Sequence, residues 1–145
     1  MIIGTIVNGL VIDHIPAGRA MELYHYLELG KLEGEVAIIK NAPSTKSANG
    51  KKDIIKINEK IDVDLDILGY IDPQITVNVI QNGERVKKLH PELPEKITNV
   101  IQCKNPRCIT SIEQELPHVF RLTDKASATY RCIYCDTKAK KVKID

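Results

Sequence analysis

Residues 103–108 read CKNPRC and residues 132–135 read CIYC, and these two segments hold all four cysteines of the chain. The spacing C-x4-C, then 23 residues, then C-x2-C is typical of a zinc ion held tetrahedrally by four thiolates at about 2.3 Å. Asn105-Pro106 favours a turn that brings the first pair together. Because four protein ligands leave no open position for a catalytic water, we predict a structural zinc ion. Its ligands would be Cys103, Cys108, Cys132 and Cys135.

Two other uses of the cysteines fit the sequence less well. Two disulfides would require an oxidising compartment, and residues 1–4 lack the basic region that opens a signal peptide. A thioredoxin-like pair at Cys132 and Cys135 would leave the first two cysteines without a role. We therefore expect a reducing, cytoplasmic location. The sequence contains no run of about 18 apolar residues, so no membrane-spanning helix is predicted.

Charge and proline content divide the chain near residue 95. Residues 1–95 contain 11 Lys and Arg against 14 Asp and Glu, whereas residues 96–145 contain 10 against 5. The segment 89–95 reads LHPELPE, and its two prolines favour a stiff linker. We predict an N-terminal domain over 1–95 and a zinc domain over 96–145. The zinc domain is too small for an unaided core, so metal binding would hold it folded.

The N-terminal domain alternates between strand-like and helix-like patterns. Strands are predicted at 2–15 (broken at Asn8-Gly9), 35–40, 53–57, 75–80 and 84–89, with Asn82-Gly83 as a hairpin turn. A first helix would begin at Pro16, bury one stripe and be capped by Gly30; the stripe is Ala20, Leu23, Tyr24 and Leu27. A second helix is predicted at 64–70. This order predicts an α+β fold of ferredoxin-like type, an antiparallel sheet with two helices on one face.

The zinc domain is predicted to be small and all-β. Four short strands are expected around the metal, at 97–102, 119–122, 129–132 and 140–144. With one Phe and no Trp in the whole chain, large aromatic core residues are scarce in this segment.

Three further segments make the sequence recognisable: VIDHIP at 11–16, KDIIKI at 52–57 and PQITVN at 73–78. Together they resemble the regulatory chain of aspartate carbamoyltransferase. The PELPE segment at 91–95 and the two cysteine pairs follow in the order found in that family. The resemblance covers essentially the whole chain.

This resemblance implies a non-catalytic subunit. In that family the N-terminal domain binds a nucleotide effector, typically CTP or ATP, with UTP as a further candidate. The zinc domain docks on the catalytic chain, which makes carbamoyl-aspartate for pyrimidine biosynthesis. Regulatory chains pair as dimers through their N-terminal domains and bridge two catalytic trimers. We therefore expect an allosteric regulatory subunit in a hetero-oligomer, with catalysis confined to the partner chain.

The resemblance also assigns effector-binding residues in the N-terminal domain. Lys88 would face the phosphates and Lys56 the ribose and base, while Asp13 would hold ribose hydroxyls and His14 would donate to phosphate oxygens. The full set is Ile6, Val11, Asp13, His14, Lys52, Lys56, Asn78, Ile80 and Lys88.

Ordinary structural roles compete with these assignments. The lysines could be solvent-facing or edge residues of strands, and Ile6, Val11 and Ile80 could be core residues. Asp13 could cap a helix that begins beyond Pro16. Asn78 favours the binding role modestly, because an apolar residue would be usual in mid-strand.

The zinc loops give a second set of candidates, for contact with the catalytic chain: Asn105, Arg107, Tyr134 and Asp136. An arginine on a metal-fixed loop can pair bidentately with a carboxylate. The alternative is that all four are solvated loop residues.

Two other function classes compete with the regulatory one. The excess of Lys and Arg over residues 96–145, including Lys138, Lys140, Lys141 and Lys143, is compatible with a nucleic-acid-binding zinc ribbon. One Phe and five Tyr nevertheless offer few stacking platforms for bases. An enzyme is disfavoured because the zinc site is closed and no nucleophile–base motif is visible.

Overall fold

In the computed structural model, which describes residues 6–47 and 49–139, the chain separates into two units between Glu92 and Leu93. The first unit contains five strands and two α-helices: β1 Gly9–Pro16, α1 Ala20–Tyr26, β2 Glu35–Pro43, β3 Lys51–Asn58, α2 Leu65–Ile71, β4 Thr76–Gln81 and β5 Glu84–Leu89. A short 3-10 helix, Leu29–Lys31, follows α1.

The strands of this unit form one antiparallel sheet in the order β2-β3-β1-β4-β5. The first four strands with α1 and α2 reproduce the β-α-β-β-α-β arrangement of ferredoxin-like folds, and β5 extends the sheet by a hairpin. Asn82 (φ 53°) and Gly83 (φ 78°) supply the two positive φ angles that a tight type I′ turn requires. The predicted fold class is confirmed.

Period-two alternation separates the two faces of this sheet. On one face Ile12 pairs with Ile55 and with Val77, and all three side chains are fully buried. Leu23 of α1 and Leu68 of α2 are buried as well. Burying an aliphatic side chain of this size stabilises the fold by about 1.5–3 kcal/mol. The other face carries polar side chains and is where the candidate site lies.

The start and end of α1 differ from the prediction. Pro16 is the last residue of β1, and the helix begins at Ala20. The buried Asp53 carboxylate sets this start, since it accepts hydrogen bonds from the backbone N–H groups of Gly18 (2.9 Å) and Ala20 (3.1 Å). Gly30 lies in the 3-10 helix, and the left-handed residue after α1 is Glu28.

The second unit has a three-stranded antiparallel sheet in the order β6-β7-β8, formed by Lys96–Thr98, Val119–Asp124 and Thr129–Cys132. Ile97, Phe120 and Tyr130 are buried, and the Tyr130 hydroxyl donates to the Pro94 carbonyl at 2.6 Å. A four-residue helix, α3 Ile109–Ile112, follows Cys108 and was not predicted.

Some expectations concern parts of the chain for which nothing is described. The strand predicted at 140–144 and the first residues of the strand predicted at 2–15 lie outside the described residues. Helices in the described part of the chain are too short or too polar to cross a lipid bilayer.

Candidate functional site

A row of four paired residues crosses the polar face of the N-terminal sheet. Val11 at the centre pairs with Lys56 on β3 and with Asn78 on β4, and Asn78 pairs with Lys88 on β5. Directly paired residues of neighbouring strands point to the same face. Since Ile12 points into the core, these four side chains lie together on the opposite face.

A β-bulge next to this row redirects His14. The register of β1 against β3 shifts between Ile12 and Ile15, and His14 adopts φ 57°, a conformation that costs free energy for a residue with a Cβ. Its N–H donates to Asp13 Oδ1 at 2.6 Å, and its Nδ1 lies 3.1 Å from Thr76 Oγ1. The bulge therefore holds the imidazole in a fixed position at the end of the sheet.

Asp13 is paired with Lys52 beside this bulge. Lys52 Nζ lies 2.9 Å from Asp13 Oδ1, and both side chains are about four-fifths buried, with 19% and 22% of their surface exposed. Burial opposes ionisation of Asp13, but the hydrogen bonds from Lys52 and from the His14 N–H outweigh it and lower the pKa of the carboxyl group. Asp13 is not a helix cap, because Asp53 occupies that role.

The residues around the bulge open into a cavity of about 500 Å³. Its basic lining residues are His14, Lys46, Lys51, Lys52, Lys88 and His90, and Asp72 is the acidic residue that faces them. Polar contacts can also come from Ser44, Ser47, Gln74 and Thr76. A cavity of this size holds a small-molecule ligand, and this excess of cations fits a ligand with several negative charges.

Burial and neighbouring charges set the protonation state of the His14 imidazole in this cavity. Burial lowers the pKa of His14, Asp13 raises it, and the nearby positive charges of Lys52, Lys46 and Lys88 lower it further; the net result is a pKa below the ordinary value of 6.5. His14 is therefore mostly neutral at neutral pH. An anion bound beside it would favour the protonated form.

The structure brings together much of the predicted effector set. His14, Lys52 and Lys88 line the cavity, Asp13 contacts Lys52, and Val11, Lys56 and Asn78 lie in the adjoining row. Ile80 pairs with Gly9 on β1, and Ile6 is a buried residue (7% exposed) before that strand. Six of the residues missed by the sequence analysis are Ser44, Lys46, Ser47, Lys51, Thr76 and His90. Thr76 precedes Asn78 by two positions on β4, so strand alternation could have found it.

The four cysteines converge in the second unit. Their sulfur atoms all lie within 4.8 Å of one another, with Cys103–Cys135 at 3.6 Å and Cys108–Cys132 at 3.7 Å. A tetrahedron with metal–sulfur distances of about 2.3 Å has edges of about 3.8 Å. The sulfur positions therefore fit a tetrahedral metal site.

Neighbouring hydroxyl groups and burial shift the pKa values of these thiols. Thr110 Oγ1 donates to Cys108 Sγ at 3.1 Å, and Thr137 Oγ1 lies 3.1 Å from Cys135 Sγ. Burial and the neighbouring Cys135 and Cys108 raise the pKa of Cys103 to about 12. Burial opposes ionisation of Cys135 too, but hydrogen bonds from Thr137 and Asn105 lower its pKa to about 6. A bound metal ion would supply the positive charge that favours four thiolates.

The four candidates for partner contact surround this metal site. Asn105 Oδ1 accepts from the Arg107 N–H at 3.0 Å, which shapes the first metal loop and leaves the Arg107 side chain exposed. Tyr134 is 40% exposed. Asp136 is exposed, and its backbone has a φ of 63°. Its Oδ1 lies 3.0 Å from Arg121 Nη2, so its carboxylate already has a partner within the chain.

Comparison with known proteins covers both units. Residues 1–92 match the family model described as the aspartate carbamoyltransferase regulatory chain, allosteric domain, and residues 95–145 match the metal binding domain of the same chain. Among curated proteins named aspartate carbamoyltransferase regulatory chain, that of Clostridium tetani is 53% identical over 135 residues, 92% of each chain. That of Clostridium acetobutylicum is 48% identical over 134 residues, 92% of this chain and 90% of the relative. That of Bifidobacterium longum is 44% identical over 140 residues, 97% and 99% of the two chains.

Proposed function

The chain belongs to the family of aspartate carbamoyltransferase regulatory chains, and we propose that it binds CTP or ATP through residues 1–95 and thereby modulates carbamoyl-aspartate synthesis. A regulatory chain is a non-catalytic component of that enzyme. Catalysis would take place in the partner catalytic chain, as a step of pyrimidine biosynthesis.

The observation that carries the proposal is the basic cavity at the end of the N-terminal sheet. Six lining residues are lysines or histidines, and the excess of positive charge matches a triphosphate. Lys88 belongs both to this cavity and to the row with Lys56, Val11 and Asn78. A nucleotide would place its phosphates at His14, Lys52 and Lys88, and its ribose and base along the row.

An unsatisfied polar atom supports the position of the base and ribose. Asn78 Nδ2 donates to the Val11 carbonyl at 3.5 Å, whereas Asn78 Oδ1 is buried and has no hydrogen-bond partner among the described residues. A buried acceptor without a donor costs about 1–3 kcal/mol. A hydroxyl or amino group of a bound nucleotide would satisfy it.

The metal is proposed to be zinc with a structural role. Four cysteine sulfurs at tetrahedral spacing are the donor set of structural zinc sites. The metal would hold residues 96–145 folded and present Asn105, Arg107, Tyr134 and Asp136 to the catalytic chain. A site of four thiolates requires reduced cysteines, so we propose a cytoplasmic location, where thiols stay reduced.

Allostery then requires an effector that binds two states of the assembled enzyme unequally. Coupling energies between sites are typically about 1–3 kcal/mol, and an effector with equal affinity for both states would shift nothing. The assembly is proposed to contain a dimer of regulatory chains, joined through their N-terminal domains, together with catalytic chains. The family match favours this function over a nucleic-acid-binding zinc ribbon.

Calorimetric titration of CTP and ATP into the full, metal-loaded chain tests the proposal. We expect saturable binding that Lys88→Ala weakens at least tenfold, because a charge-assisted contact to phosphate is lost. Lys87→Ala is the matched control, since Lys87 pairs with Val79 and points to the other face. Equal effects of the two substitutions, or no binding by the native chain, would contradict the proposed site.

A further inference from the structure

The loop between β2 and β3 contributes a cation that the row on the sheet does not contain. Lys46 lines the cavity together with Ser44 and Ser47 of the same loop. His14 lines the same cavity, and the positive charge of Lys46 contributes to the lowered pKa of that imidazole. Among the described residues no carboxylate forms an ion pair with Lys46. Its charge is therefore available, unlike that of Lys52, which Asp13 offsets.

The loop is closed by its own hydrogen bonds. Ser44 N–H donates to the Gly50 carbonyl at 2.9 Å, and the Lys46 N–H donates to Ser44 Oγ at 3.3 Å. Asn49 Oδ1 accepts from the Ser47 hydroxyl at 2.7 Å and from the Lys51 N–H at 3.2 Å. These local contacts preorganise residues 44–47 and 49–51, so that less ordering entropy is lost when these residues bind a ligand.

Sheet order separates Lys46 from Lys88. β3, which the loop enters, is three strands away from β5, with β1 and β4 between them. At a strand spacing of about 4.8 Å the backbones of β3 and β5 are about 14 Å apart. His14 on β1 lies between the two lysines. Long lysine side chains shorten the gap, but a ligand that contacts both ends must be extended.

We propose that Lys46 contacts the terminal phosphate of a nucleotide bound in this cavity and makes the site selective for triphosphates over monophosphates. This inference rests on the proposed nucleotide-binding function. In the proposed orientation the base and ribose lie along the row at Lys56 and Asn78. The phosphate chain passes Lys88 and His14 and ends at the loop. A monophosphate ends before it reaches Lys46.

The test compares ligands of different phosphate length with the full, metal-loaded chain. Dissociation constants are measured for CTP, CDP and CMP, and for inorganic triphosphate and orthophosphate. We expect Lys46→Gln to weaken the binding of CTP and of inorganic triphosphate about tenfold, because one charge-assisted contact is lost. The binding of CMP should weaken less than twofold. Lys46→Arg should retain most of the selectivity. Lys40→Gln is the control, because Lys40 is an exposed residue of β2 that does not line the cavity.

The outcomes separate this inference from the proposed function. Equal weakening of CTP and CMP by Lys46→Gln, or an effect no larger than that of Lys40→Gln, would overturn the role of Lys46 while nucleotide binding stands. Failure of the native chain to bind inorganic triphosphate and CTP would overturn both. Binding of inorganic triphosphate that depends on Lys46, without binding of any nucleotide, would support the phosphate contact and overturn the nucleotide function.

Discussion

Removal of the metal should unfold the cysteine-containing unit and leave the N-terminal sheet intact. The unit buries few large side chains: Ile97, Phe120 and Tyr130 are each at most 3% exposed. At about 2 kcal/mol each, they contribute about 6 kcal/mol of hydrophobic stabilisation. Metal binding to four-ligand sites contributes about 10–16 kcal/mol in small zinc peptides, which is more than this core supplies. Without the metal, the clustered thiols no longer connect the 103–108 loop to β8.

Amide hydrogen exchange on the full chain resolves the two units. After complete chelation, verified by metal analysis under reducing conditions, β7 and β8 should lose protection. Protection in β1 and β3 should change little, because their core at Ile12 and Ile55 contains no metal ligand. Restoring zinc should restore protection. Full protection of β7 and β8 in the metal-free chain would refute the argument that the metal holds this unit folded.

Two further predictions concern the N-terminal unit. His14 has a lowered pKa in the free chain, and a bound anion raises it. Protonation of His14 therefore favours binding, so the ratio of the CTP affinity of the native chain to that of His14→Gln should rise as the pH falls from about 8 towards 6.5. The second ionisation of the phosphate near pH 6 is common to both proteins and cancels in the ratio; a pH-independent ratio would contradict the role of His14. Gly69→Ala should destabilise the chain in urea by about 1–3 kcal/mol, because the added Cβ would collide with the Glu92 carbonyl oxygen. Helix propensity alone would make the Gly69→Ala variant at least as stable as the native chain. That result would contradict the close packing of Gly69 against Glu92.

Local patterns predicted the elements whose causes are local. The alternation of Ile55 and Ile57 with Lys56 identified β3 and its buried face, and Asn82-Gly83 identified the β4–β5 turn. Asp64 was correctly placed at the start of the second helix, where its Oδ1 accepts from the Asp66 N–H at 2.9 Å. Cysteine spacing predicted a cluster that the structure confirms, because metal-ligand chemistry restricts that spacing.

Long-range contacts explain what the sequence did not predict. The start of α1 depends on Asp53, which is 33 residues away from Ala20, so the local signal of Pro16 was misleading. The cavity combines the bulge at His14, the β2–β3 loop and the end of β5, which only the sheet order brings together. Lys46 and His90 have no motif of their own. Their role follows from position in the folded chain.

The most direct test of the central claim uses the reconstituted enzyme. Carbamoyl-aspartate synthesis by the assembled catalytic and regulatory chains is measured against aspartate concentration, with and without CTP or ATP. We predict that at least one nucleotide shifts the curve when the native regulatory chain is present and that Lys88→Ala reduces this shift, whereas the catalytic chains alone do not respond. Identical curves with and without nucleotide in the verified native assembly would contradict the claim that this chain is an allosteric, nucleotide-binding subunit.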